Sequence, residues 1–138
     1  MSTRTLAYWL ALVDRLVEAR FAGTLEEHGI TRIQWRVLTV LDPEPATHEA
    51  LADALSELPP TPDDDSAAEQ LDELLESGWV EDLAGRYALS ERGRDAHDHI
   101  SKAVAALRAT VLSGISADEE ATTIAALERM ARNLGWNG

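Results

Sequence analysis

Apolar residues recur at three-and-four spacing through both ends of this chain, and the pattern gives way to a strand period only once, in a short hairpin between them. Leu6, Trp9, Leu10, Val13, Leu16, Val17 and Phe21 mark a long amphipathic helix over residues 4–27, ended by Gly29. Thr31 caps a second helix with Ile33, Val37, Leu38 and Leu41 inward, and Asp42-Pro43-Glu44-Pro45 stops it. Thr47 caps a third, whose stripe is Ala50, Leu51, Ala54, Leu55 and Leu58 before Pro59-Pro60. Thr61, Pro62 and three aspartates form a strong start for a fourth helix over residues 62–77, with Ala67, Leu71, Leu74 and Leu75 buried and Gly78 just past its last turn. Trp79-Val80-Glu81 and Tyr87-Ala88-Leu89 read as two strands around a turn at Leu83-Ala84-Gly85-Arg86. Ser90 then caps a long helix carrying Ile100, Val104, Leu107 and Val111, which ends near Ser113-Gly114. Ser116 and Glu119 make a capping box for a last helix with Ile124, Leu127, Met130 and Leu134 inward.

Such a chain is mainly α and, at 138 residues, the size of one domain with a modest core. Cysteine is absent, which excludes disulfides, thiolate nucleophiles and Cys-type zinc sites. The first helix meets Asp14 and Arg15 too early for a signal peptide or membrane span, so a cytoplasmic protein with no membrane partner is expected.

Charge is distributed far less evenly than hydropathy. Residues 42–85 hold fourteen carboxylates and no lysine or arginine, while the flanks are close to balanced, so this stretch carries the whole net charge of −13. Within it, Asp65, Glu69 and Glu73, and likewise Asp72 and Glu76, stack at i,i+4 without a basic residue to relieve them, costing about 0.2–0.5 kcal/mol per pair. Acids on an exposed helix are usually a solvated face, yet the rest of the chain mixes its charges.

Catalytic signatures are missing: there is no Gly-rich phosphate loop, nucleophile elbow or acid pair at a recognisable spacing, so no enzyme and no cofactor is expected. Asp63-Asp64-Asp65 lacks the spacing and closing Glu of a calcium loop and reads as helix-start acid. His97 and His99 leave their helix on different sides, Asp95 with His99 reads as a surface hydrogen bond, and His28 and His48 stand isolated, so no metal site is expected.

Three segments carry a family resemblance. Gly-Ile-Thr-Arg-Ile-Gln-Trp-Arg-Val-Leu (29–38), Leu-Leu-Glu-Ser-Gly-Trp-Val (74–80) and Ala-Leu-Ser-Glu-Arg-Gly-Arg (88–94) follow one another in the order of the second helix, the wing approach and the return strand of the MarR family of winged-helix regulators, and residues 116–134 are similar to its closing helix. The resemblance implies a winged helix-turn-helix ordered α1-α2-α3-α4-β-β-α5-α6, a single domain over residues 1–138 with a core at 30–90 and dimerisation helices at 4–27 and 92–134. It implies a homodimer that binds double-stranded DNA and a small-molecule effector held near Tyr8, Trp9, Trp35 and Trp79. DNA contacts fall to Arg32, Arg36 and Arg86 on phosphates and to Ser66 and Gln70 on bases.

The sequence departs from the family pattern where that pattern meets DNA. The fourth helix presents Ser66, Glu69, Gln70 and Glu73 outward with no basic residue, the span from Leu55 to Leu71 is about five residues longer than in the family, and Arg86 is the one base left in the wing. Two functions therefore stand side by side: a DNA-binding transcription regulator, or a winged-helix protein deficient in DNA binding whose acidic face (Asp65, Glu69, Glu73) binds a basic protein as a DNA mimic or anti-regulator.

Overall fold

The computed structural model describes residues 3–57 and 66–138. The chain forms two compact units that divide at residue 104, inside its fifth helix. In the first unit α1 (Leu6–Glu27) is capped by the Thr5 hydroxyl, which accepts from the Tyr8 N–H at 3.2 Å. Next comes α2 (Arg32–Leu41), opened by a full capping box between Thr31 and Gln34. Strand β1 (Ala46–Thr47) runs straight into α3 (His48–Ser56), for which Thr47 serves as N-cap. Helix α4 spans Ala67–Glu76, and strands β2 (Val80–Leu83) and β3 (Arg86–Leu89) form the wing. Helix α5 (Glu91–Val111) begins in this unit and ends in the second, which also holds α6 (Ala117–Asn133).

Two elements differ from the sequence reading. The fourth helix starts at Ala67 rather than residue 62, because Ser66 keeps an extended backbone and its hydroxyl accepts from the Glu69 N–H at 3.2 Å. Leu58, Pro59-Pro60, Thr61-Pro62 and Asp63-Asp64-Asp65 lie outside the described residues. The sheet has three strands, not two, in the order β1-β3-β2, all antiparallel, with Ala46 opposite Tyr87 and Val80 opposite Leu89. Two residues beside a proline give no periodicity to read, so β1 leaves little trace in sequence. The wing turn is as tight as a hairpin allows: Ala84 and Gly85 both take positive φ, 51° and 91°, the combination a two-residue I′ turn requires.

Leu25 from α1, Val37, Leu38 and Leu41 from α2, Leu51 from α3, Leu74 from α4, Val80 and Leu89 from the wing and Ile100 from α5 meet in one core. Each such side chain contributes roughly 1.5–3 kcal/mol by leaving water. Ala50, expected inward on the third helix, is exposed, and Leu51 alone of that helix is fully buried.

Much of the apolar periodicity stays exposed among the described residues. Leu6, Leu10, Val13 and Leu16 on α1 are exposed, as are Ile124, Leu127 and Leu134 in the second unit. There, no residue of α6 is buried, and an open apolar trough of about 660 Å³ runs between Leu127, Leu134 and Trp136. Arg108 reaches Glu120 at 2.8 Å to tie the end of α5 to α6. The Ser116 N–H and hydroxyl hold the Glu119 carboxyl below the usual carboxylate range. No helix among the described residues is long and apolar enough to cross a membrane.

Candidate nucleic-acid interface

Helix α4 is fixed against α2 by side-chain hydrogen bonds rather than by apolar contact alone. The Thr31 hydroxyl donates to Gln70 Oε1, and the Gln34 amide donates to the Gln70 main-chain oxygen at 3.2 Å and to Glu73 Oε2 at 2.9 Å. Gln34 and Gln70 are both buried, so these bonds answer the desolvation of two amides and set the angle between the two helices. Gln70, expected outward to read bases, instead has its side chain buried against α2. Leucine spacing placed it outward because an amide with a buried partner is indistinguishable in sequence from an exposed one. Ser66 is exposed, but its hydroxyl is engaged as the cap of α4.

The remaining outward face of α4 is acidic. Glu69, Asp72 and Glu76 are exposed, and Glu73, also exposed, is held by Gln34. Asp65 lies outside the described residues. Nearby cations are largely engaged: Arg32 pairs with Glu18 at 3.1 Å and Arg36 with Glu57 at 3.3 Å. Arg86 is different. It stands exposed at the start of β3 and makes no ion pair among the described residues, with Arg92 and Arg94 exposed a few residues on, in the first turns of α5.

The base of the wing is braced by His48, which the sequence left isolated. Its ring stacks on Tyr87 at 4.1 Å between centroids, and its Nε2 lies 3.1 Å from Asp82 Oδ1. Burial, then the charges of Asp82 and Asp72, push the Tyr87 hydroxyl above its ordinary value. No spacing rule reaches across these elements, and only the sheet brings them together.

The aromatic residues expected to line one effector pocket have different ring partners. Tyr8 and Trp9 pack edge to face on α1, 5.4 Å apart and exposed, while Trp35 stacks on His97 at 5.0 Å with the planes 11° apart. Trp79 borders a cavity of about 360 Å³ whose polar lining is Gln34, Glu73, Ser77 and Arg92. Histidines also pair differently from the sequence reading. His28 meets the His99 ring edge-on at 5.3 Å, no Asp95–His99 bond forms among the described residues, and His97 turns towards Asp42.

No family model and no curated protein matches this sequence. Solved structures do. A MarR family protein of Mycobacterium tuberculosis, crystallised with DNA, is 25% identical with a TM-score of 0.68 over 96% of this chain and 99% of its own. MepR, a transcription regulator of the Staphylococcus aureus multidrug efflux pump MepA, is 21% identical with a TM-score of 0.71 over 95% and 99%. The reduced form of MarR from E. coli is 23% identical with a TM-score of 0.67 over 94% and 95%. Each of these structures superposes on nearly the whole of this chain, and this chain has a MarR-type winged-helix fold.

Proposed function

We propose that this chain is a homodimeric transcription regulator that binds double-stranded DNA and responds to a small-molecule effector. The observation that carries the reading is the match, over nearly the whole of both chains, to a MarR family protein solved on DNA. Its docking would rely on the wing and the start of α5, where Arg86, Arg92 and Arg94 stand exposed, more than on α4, whose carboxylates repel phosphate. With Gln70 turned inward, α4 offers few groups to read bases. Exposed apolar faces on α1 and, separately, on α6 supply the surface that a second copy would cover.

The same M. tuberculosis relative has been solved with p-aminosalicylic acid and with salicylic acid. A small aromatic acid suits the cavity beside Trp79, where Trp79 and Arg92 border one space.

Capture of sheared host genomic DNA by the purified protein at low salt, with sequencing of the retained fragments, tests the reading. Enrichment of one palindromic site is the expected result. Complete absence of retention would overturn it and turn the search to basic protein partners for the acidic face.

A further inference from the structure

We propose that Leu83 is an apolar wedge that enters the minor groove of DNA beside Arg86 and unstacks one base step, so that the wing selects sequence through DNA deformability. This rests on the DNA-binding reading above and adds a specificity-determining residue to it. Leu83 is 55% exposed. Among the described residues, every other exposed large apolar side chain lies on α1 or beyond residue 110. Leu83 therefore stands outside the apolar surface ascribed above to a second copy. The hairpin puts it at the tip. Leu83 pairs with Arg86 across the two-residue turn at Ala84 and Gly85, so both side chains leave the sheet on one face, opposite those of Val80 and Leu89.

An apolar group and a guanidinium thus stand side by side, and the nearby acids are kept back from them. Asp82 alternates to the opposite face, where it lies 3.1 Å from His48 Nε2, and Glu81 is two residues back along β2, about 7 Å from Leu83. This pairing suits the minor groove. At about 6 Å wide that groove is too narrow for a two-stranded ribbon but open to single side chains, and its negative potential draws arginine. Proteins that read it combine such a cation with an apolar residue pushed between base pairs, and unstacking is cheapest at pyrimidine–purine steps. The wider major groove would admit the whole ribbon and bring Glu81 against the phosphates as well. A wing that bound phosphate alone would have no use for a leucine held in water at its tip, whereas insertion between bases removes that apolar surface from solvent.

A short duplex carrying the site recovered by genomic capture tests the wedge, with 2-aminopurine replacing adenine in turn at each TA or CA step. The full chain should raise the fluorescence at one step, and Leu83→Ser should not. Leu83→Ser should also bind about three- to tenfold more weakly while the slope of log affinity against log salt stays the same, because no phosphate contact is lost. Leu83→Met, which keeps an apolar side chain, should retain both the affinity and the fluorescence change. The thermal midpoint should be the same in all three chains, as expected at an exposed position. A parent chain that binds the duplex without unstacking any step, or equal affinity and step preference in the parent and Leu83→Ser, would overturn the wedge and leave DNA binding standing. A parent chain that retains no DNA would overturn the DNA-binding reading, and the wedge with it.

Discussion

Gly93 lies so close to Trp79 that a β-carbon on the glycine would sit 2.0 Å from the Trp79 carbonyl oxygen. That oxygen cannot simply move aside, because it accepts the Ser90 N–H at 3.0 Å. The close approach joins the exit of α4 to the entrance of α5, and only a residue without a side chain permits it. Gly93→Ala should lower stability by about 3 kcal/mol in urea unfolding. Gly23→Ala, where nothing lies within 4 Å, should instead raise it by up to about 1 kcal/mol. Equal effects of the two changes would refute the steric account.

Ala84 occupies a left-handed position that a side chain disfavours by roughly 1–2 kcal/mol. Ala84→Gly, and to a lesser degree Ala84→Asn, should stabilise the wing by about 1 kcal/mol and raise the thermal midpoint. A fall in the midpoint would show that the turn is not of the I′ kind.

The Gln70 side chain is buried and accepts from the Thr31 hydroxyl. Gln70→Ala leaves the Thr31 hydroxyl without its acceptor and should lower stability by about 1–3 kcal/mol. DNA selected by the variant should have the same base preferences as DNA selected by the parent. A changed preference at unchanged stability would place the side chain in the groove.

Electrostatics at the docking face give opposite signs for two substitutions. Arg86→Ala should weaken DNA binding and reduce the slope of log affinity against log salt by about 1. Glu69→Gln combined with Asp72→Asn should strengthen binding at low salt by removing exposed negative charge from α4. If neither change moves the binding curve in a gel-shift titration, DNA does not approach this face.

Local signals carried the architecture further than they carried the site. Thr31, Thr47 and Ser116 cap their helices as their spacing predicts, and Val37, Leu38, Leu41 and Leu74 are buried where periodicity puts them. The start of α4 went astray because Thr61-Pro62 and Ser66 are both good caps, and propensity alone cannot choose between them. What decides this chain's surface chemistry is pairing between distant segments. Arg32 with Glu18, Arg36 with Glu57, Gln34 with Gln70, His48 with Tyr87 and His97 with Asp42 are all tertiary. A charge map drawn on the sequence therefore overstates the cations open to DNA, since two of the three arginines assigned to phosphate already hold carboxylates.

The uncovered leucines of α1 and α6 make each molecule's durability depend on its surroundings. In the proposed dimer, an apolar face dried only by another copy would tie the melting temperature to protein concentration, and dilution by itself would loosen the terminal helices. Gene dosage would then set the lifetime of each chain as well as the number of chains, and a scarce dimer of this kind would be cleared sooner by proteases than an abundant one.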